Sequence, residues 1–461
     1  MRRVSVAQPS RAAWAAMGRT EGRLDERPPW RLLRVLSVCG FTYSVLFATP
    51  TRAQETLQLS TLQREALDAD PRFREFALQN EQSGLRVRNI EVERRPAVSA
   101  AGLIQYQSDV PTPPPVAGQL LFQPPKDTYD VSVRVDQRIF DPALEPRLAL
   151  ARADLAESQA RLRVALFALR DEVNEAFFTA SLLQEQIGAL AATLSELETR
   201  LRETSIRVRE GAAIPGEAAA IEATLLQERQ QDEELRANRG AALARLSRLT
   251  GRTIGPDDLL ALPPLDDAVS RGRQELDRLH ARPEYEQFAR ARDRAARQQD
   301  VTAATERPQL SAFGRAGFGK PGLNFIADEF ETYAVAGVQL QWKTWTWGTA
   351  SREREALKLQ QEMVSAEEAA FTDRLHRAVQ NDLAAIERLQ NALVTDQRIM
   401  TLRDDIDRVA RVRFGEGVIT AAEYLDRSTE RLTAQFAQGR HRVELAQARV
   451  RLLTTLGLEV P

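Results

Sequence analysis

The sequence predicts a mainly α-helical chain with a smaller β portion, laid out as two structural repeats of long helices that each carry one β-hairpin. Three observations predict it. Short markers recur in the same order in both halves. Apolar residues recur at steps of three and four over stretches far longer than an ordinary helix. Four short segments between the helices alternate apolar and polar residues.

The markers define the repeat. Asp70-Pro71-Arg72-Phe73 corresponds to Arg282-Pro283-Glu284-Tyr285, and Arg95-Pro96-Ala97-Val98-Ser99-Ala100 to Arg307-Pro308-Gln309-Leu310-Ser311-Ala312, at one shared offset. Further on, Ile206 to Gly211 corresponds to Val412 to Gly417, and Leu249-Thr250-Gly251 to Thr455-Leu456-Gly457, at a second, slightly smaller one. The difference is absorbed between Ser108 and Asp127 in one half and Lys320 and Glu331 in the other, where a loop meeting solvent tolerates length changes. The expected organisation is a first repeat over 54–251, a linker over 252–267 marked by Gly255-Pro256 and Pro263-Pro264, and a second repeat over 268–461.

From Pro142 to about Arg209 the chain has only Pro146, in the first turn, and only Gly188. Leu155, Leu162, Leu166, Leu169, Val173, Ala176, Ala180, Leu183, Ile187, Leu190, Leu194, Leu197 and Leu201 follow the seam of a coiled coil. At 1.5 Å per residue this helix is roughly 100 Å long. Ser351 to Phe414 repeats it, with Ile386, Leu389, Leu393, Ile399, Leu402, Ile406 and Val409 as a less regular seam. A returning helix carries Leu425, Leu432, Phe436, Gly439, Val443, Ala446, Val450 and Leu453. The reversals fall at Gly211 and Gly417, where glycine permits a sharp turn.

Strands are expected where the helical pattern stops. Val131, Val133, Val135 and Ile139 alternate with polar residues, as do Val338, Leu340 and Trp342. Each has a weaker partner before it, Val98, Ala100, Ile104 and Tyr106 in one half and Leu310, Ala312, Ala316 and Phe318 in the other. Segments of about 10 residues match tilted strands that cross a bilayer. A lone hairpin in lipid leaves edge backbone groups unsatisfied. Four strands are too few to close a barrel, so several copies must share one.

Composition and the N-terminus agree with export. The 461 residues hold 65 acidic and 63 basic side chains, interspersed rather than gathered into the basic face that nucleic-acid binding needs. Aromatics at 6% and charged residues at 28% suit long solvated helices. A basic stretch ending in Arg31 and Arg34 precedes an apolar run from Val35 to Ala48, and Thr51-Arg52-Ala53 offers a cleavage site. Residues 1–53 are therefore expected to be a removed signal peptide, with Met17 as an alternative start. Cys39, the single cysteine, lies within it, so the mature chain needs no disulfide. Acylation of Cys39 is the weaker reading, because bulky Val38 precedes it. No later segment offers the roughly 20 unbroken apolar residues of a transmembrane helix.

The duplicated order of helix, hairpin, long helix and returning helix resembles the TolC-type outer-membrane efflux protein family over nearly all of 54–461. The Asp-Pro and Arg-Pro markers, the strand-opening prolines and the turn Phe414-Gly415-Glu416-Gly417 carry the likeness. The resemblance implies a homotrimer in which four strands per chain contribute to a shared 12-stranded barrel in outer-membrane lipid. Duplicated α-hairpins would form a coiled-coil tunnel through the periplasm. It also implies a passive exit duct of a tripartite efflux or type I secretion system. The partners would be a periplasmic membrane-fusion adaptor and an inner-membrane transporter, with no catalytic residues and no cofactor.

By the same resemblance the hairpin tips form the periplasmic entrance. Glu217 and Glu423, each six residues after a tip glycine, and Asp426 match acidic positions that line the constriction, where a ring of charge would favour cations. The plainer reading is a solvated carboxylate near a helix start. Gly211, Ala212, Gly417 and Val418 match the adaptor contact. Where several relatives carry a basic latch residue this chain has Ile419, and Ala213 in the first half, which points to apolar closure instead. Trp342, Trp345 and Trp347 stand where the last strand returns to helix, a place for membrane-interface anchors. Trp342 has the parity of the apolar strand face, whereas for the other two packing between barrel and tunnel is an equal reading.

Enzyme and metal motifs are lacking. His280, His376 and His441 are scattered with no ligand-pair spacing, and neither a phosphate loop nor a nucleophile elbow occurs. The alternative from another class is a non-pore periplasmic coiled-coil adaptor or scaffold, which leaves the matched strands unexplained. Small-molecule and protein cargo are not separated by the sequence.

Overall fold

The computed structural model describes residues 56–110, 125–274, 281–323 and 328–461. The expected signal peptide with Met17 and Cys39, His280, and most of the Pro-rich loop after Ser108 lie outside the described residues.

The first half runs β1 (Thr56–Gln58), α1 (Leu59–Ala69), a 3-10 turn (Pro71–Arg74), α2 (Glu75–Val92), β2 (Ala97–Tyr106), β3 (Asp127–Phe140), α3 (Leu144–Arg209) and α4 (Pro215–Thr250). The second runs β4 (Leu259–Ala261), α5 (Asp266–Gln274), α6 (Pro283–Ala304), β5 (Gln309–Lys320), β6 (Glu331–Gln341), α7 (Thr349–Gly415) and α8 (Ala421–Thr455). Both Pro markers open helical segments, where a missing N–H costs nothing. Asp70 caps its turn by accepting the Arg72 amide at 2.8 Å, and the Arg72 guanidinium bonded to it holds its carboxyl below the ordinary value.

The 66-residue α3 extends roughly 100 Å. Its seam is the core face: Leu162, Leu166, Leu169, Val173, Ala176, Ala180, Leu190 and Leu197 are buried, and Leu183, Ile187, Leu194 and Leu201 half-buried. The main core gathers Leu169, Val173, Ala176 and Ala180 of this seam with Leu59 and Leu62 of α1, Leu243 and Leu246 of α4, Ile386 and Leu389 of α7, and Val443, Val450 and Leu453 of α8. Phe177 and Phe178 meet edge to face at 5.3 Å, with Phe177 fully buried.

The seam expected for α7 needs correcting over its distal half. Ile386 and Leu389 are core, but Ile399, Leu402, Ile406 and Val409 are 40–48% exposed. The face turned inward carries Asp396, Met400, Asp407, Ala410 and Phe414 instead. Carboxylates occupy a seam here because α8 supplies partners. Asp396 meets His441 at 2.6 Å, Arg451 and Thr455 both bond Asp382, and Asp404 meets Arg431 at 2.6 Å.

Within the expected linker, β4 pairs in parallel with β1, bringing Leu57 opposite Leu260 and tying the linker to the start of the described chain.

The other sheet has the order β2-β3-β5-β6 with every pair antiparallel, so the two hairpins join through β3 and β5. Among the described residues, the outer strands β2 and β6 each have one edge without a partner. No described helix is long and apolar enough to cross a membrane.

Phe177→Ala should lower stability by about 3–5 kcal/mol through lost burial and a residual cavity. Denaturant titration in detergent checks it, and a cost below ~1 kcal/mol would remove Phe177 from the core.

Candidate functional site

Two regions stand out, the helix-hairpin ends and the faces of the four-stranded sheet. At the hairpin ends α3 and α7 stop in the same way. Gly211 and Gly417 adopt left-handed backbone at φ 76° and 73°. Ala212 N–H then bonds Arg207 O, and Val418 N–H bonds Arg413 O, each at 2.8 Å. This is the Schellman closure, which satisfies carbonyls a helix end otherwise leaves open. Gly211, Ala212, Gly417 and Val418 are all exposed, as expected of tip residues.

The acidic candidates follow at helix starts. Glu217 and Glu423 each occupy the third position of their helix, where the macrodipole favours a carboxylate. Thr420 caps α8 by accepting the Glu423 amide at 3.2 Å. Glu423 and Asp426 are exposed and Glu217 is half-buried, and among the described residues none of the three forms an ion pair. Glu423 shares a shallow groove of about 360 Å³ with Ile406, Val409, Arg413, Ile419 and Arg427. The protomer therefore brings Glu423 and Asp426 onto one helix start but places Glu217 on a separate hairpin.

Behind the tips lies a network that sequence reasoning missed. Tyr424 of α8 is fully buried, stacked on Phe414 of α7 at 5.1 Å, and donates its hydroxyl to Glu196 of α3 at 2.8 Å. Arg411 of α7 reaches the same carboxylate at 2.9 Å and also binds buried Asp407. Arg207 of α3 donates to Phe414 O at 3.0 Å. Burial, reinforced by Glu196, pushes the Tyr424 phenol well above its usual range. Leu197, Ile221, Leu225, Ala410, Ala421 and Leu425 surround these groups, so both hairpins meet here. Tyr424 directly after Glu423 was the available signal, a lone aromatic among polar residues at a helix start, but its partner Glu196 lies 228 residues away.

The sheet separates chemistry by face. Register places Val98, Ala100, Gly102 and Ile104 of β2 beside Val131, Val133 and Val135 of β3, then Gly314, Ala316 and Phe318 of β5, then Ala334, Ala336, Val338 and Leu340 of β6. This face is apolar yet exposed: Ile104 is 82% exposed and Val131 67%. The opposite face holds Asp130, Ser132, Arg134 and Asp136 of β3 with Arg315 of β5 and Tyr333, Gln339 and Gln341 of β6. An aromatic group closes the hairpin-loop end, where Phe330 stacks on Phe318 at 5.4 Å and meets Tyr129 at 6.0 Å. At the helix end, Trp342, 57% exposed, donates to Glu306 O at 3.0 Å. Trp345 and Trp347 meet edge to face at 5.8 Å while remaining largely exposed. No group of three or more His, Cys, Asp or Glu side chains able to hold a metal occurs among the described residues.

The outer membrane efflux protein family model matches residues 62–252. Solved structures share the fold at low identity. The Vibrio cholerae outer membrane protein VceC is 15% identical with a TM-score of 0.65, covering 87% of this chain and 97% of its own. The Campylobacter jejuni CmeC outer membrane channel is 16% identical with a TM-score of 0.65, over 87% and 85%. The open state of the Neisseria gonorrhoeae MtrE outer membrane channel is 20% identical with a TM-score of 0.62, over 87% and 89%. The comparison with curated proteins found no match.

Tyr424→Phe should loosen the junction of the hairpins by about 1.5–3 kcal/mol, the range for a hydrogen bond to a charged group. Faster amide exchange around 407–425 reports it. Because folding raises the phenol's pKa, its contribution is complete below the unfolded value of about 10 and is lost as pH rises beyond it. Tyr424→Phe should therefore flatten the alkaline loss of protection.

Proposed function

From the match of residues 62–252 to the outer membrane efflux protein family model, we propose that the chain is one subunit of a trimeric outer-membrane channel. The carrying observation is the sheet: an exposed apolar face, a polar face behind it, and two edges without partners. An apolar face of this extent belongs against hydrocarbon, and unpaired edges in hydrocarbon must be closed by another copy. Three copies placing β6 of one beside β2 of the next give the 12-stranded barrel, with Arg134, Arg315 and Asp130 toward its lumen.

The aromatic positions suit the same placement. Thr332, opposite Phe318, and Trp342 are separated by about 33 Å along the strand, or roughly 25 Å of height at a 40° tilt. That is the height of the apolar band between the aromatic girdles of a membrane barrel. Trp342, Trp345 and Trp347 then anchor the periplasmic interface. The competing reading, a periplasmic adaptor or scaffold without a pore, gives the exposed Val and Ile rows no role.

The helices would continue the duct across the periplasm. The exposed row Ile399, Leu402, Ile406 and Val409 supplies an apolar surface for a neighbouring copy. Gly211, Ala212, Gly417 and Val418 meet the adaptor, and an inner-membrane transporter supplies the energy. Glu217, Glu423 and Asp426, threefold repeated, line the entrance. Cargo passes without covalent chemistry, as small-molecule efflux or as protein secretion.

In planar bilayers the purified protein should conduct with a preference for cations, and Glu423→Gln with Asp426→Asn should weaken it. An unchanged reversal potential would remove these two residues from the throat.

A further inference from the structure

The polar face of the sheet contains two cross-strand pairs of opposite polarity in size. Phe313 of β5 stands directly opposite Gly337 of β6, and Gly317 of β5 directly opposite Tyr333 of β6. Between them Arg315 is paired with Val335. The same arrangement is thus written twice within five residues of strand, once in each direction.

In both pairs the ring occupies the space that a side chain on the glycine would fill. A Cβ added to Gly337 would lie 2.9 Å from Cζ and 3.0 Å from Cε1 of Phe313. One added to Gly317 would lie 2.6 Å from both Cζ and Oη of Tyr333. Real Cβ contacts are not that short, so each ring lies across its glycine instead of projecting from the sheet. Guanidinium groups hold the rings there. Arg134 sits 5.4 Å from the Phe313 centroid and Arg315 5.5 Å from that of Tyr333. Each arginine is itself anchored, Arg134 to Asp136 at 2.9 Å and Arg315 to Asp130 at 2.6 Å, and the Tyr333 hydroxyl also binds Asp130. The charges of Arg134 and Arg315 are therefore each matched by a carboxylate.

We propose that Gly317 and Gly337 are size-determining residues of the duct: they let Tyr333 and Phe313 lie flat against the wall and so set the largest cargo cross-section that passes the barrel. This rests on the channel reading, in which the polar face lines the lumen. Three copies place six such rings around the bore, so whether they lie flat or stand upright changes the passage from all sides. Because Arg134 and Arg315 are each matched by a carboxylate, the barrel selects by size, and charge selection is left to the acidic residues at the helix tips.

The test uses Val335→Cys, which puts the only thiol after residue 53 on the same face between the two rings. Intact cells are treated with a small, charged, membrane-impermeant maleimide and with maleimide-linked polyethylene glycols of increasing size. The small reagent should label the thiol, and the glycol series should show a size limit. Adding Gly337→Ala should lower that limit by forcing the Phe313 ring upright, and Phe313→Ala in the same chain should restore it. Phe313→Ala alone should leave the limit where it was, since a flat ring takes little from the bore. An unchanged limit in Gly337→Ala, or a raised limit in Phe313→Ala alone, overturns the inference. The second result decides the matter even if Gly337→Ala fails to assemble. A thiol that no small reagent reaches would overturn the channel reading itself, since the polar face would then not line an open lumen.

Discussion

The unpaired edges of β2 and β6 are the constraint on which the rest of the architecture depends. An N–H or C=O left without a partner in hydrocarbon costs several kcal/mol, and each edge presents a row of them. A four-stranded sheet with one apolar face can neither stay open in lipid nor leave that face in water. The proposed closure across copies would resolve both, and the strand connectivity dictates direction as well. α2 leads into β2, β3 leads into α3, α6 leads into β5 and β6 leads into α7, so all four connections leave the sheet at one end. The hairpin loops occupy the other end. Every long helix is thereby committed to a single side of the membrane, and the proposed tunnel is a consequence of strand connectivity.

Within the helical part, the unusual feature is how much of the packing is ionic. The seam between α7 and α8 buries Asp382, Asp396 and Asp407, each answered by a guanidinium, imidazole or hydroxyl group across the hairpin. Such pairs add little net stability over apolar contacts, but they fix register along helices that could otherwise slide by a heptad. The apolar residues freed from that seam face outward on α7. The same helix thus presents one polar-keyed surface to its own hairpin and one apolar surface to whatever lies beside it. Near the tips Tyr424, Glu196, Arg411 and Arg207 join the two hairpins of one copy.

Much of this was legible in the sequence, and the parts that were not share a cause. The strands could be read because alternation has a strict period of two, and Val131, Val133 and Val135 fall on one face whatever the register. The tips could be read because only glycine sits easily at φ above 70°, and Gly211 and Gly417 stand at matched places. The α7 seam was misread at Ile399, Leu402, Ile406 and Val409 because apolar periodicity does not say which partner an apolar row meets. Its true intrachain face contains aspartates whose partners on α8 lie 24 to 73 residues away. The parallel β1–β4 contact went unseen because strands of three residues carry no period. The Gly–aromatic pairs in β5 and β6 were also hidden, since they become pairs only once the register is known.

The most direct test of the central claim is electron microscopy of the protein extracted from outer membranes in mild detergent. A trimeric channel gives a threefold particle roughly 130 Å long, from a helix of about 100 Å and a barrel about 30 Å tall, with detergent confined to a belt around one end. A single-copy rod without a detergent belt would contradict it, because the edges of β2 and β6 would then be open to water and not closed in lipid.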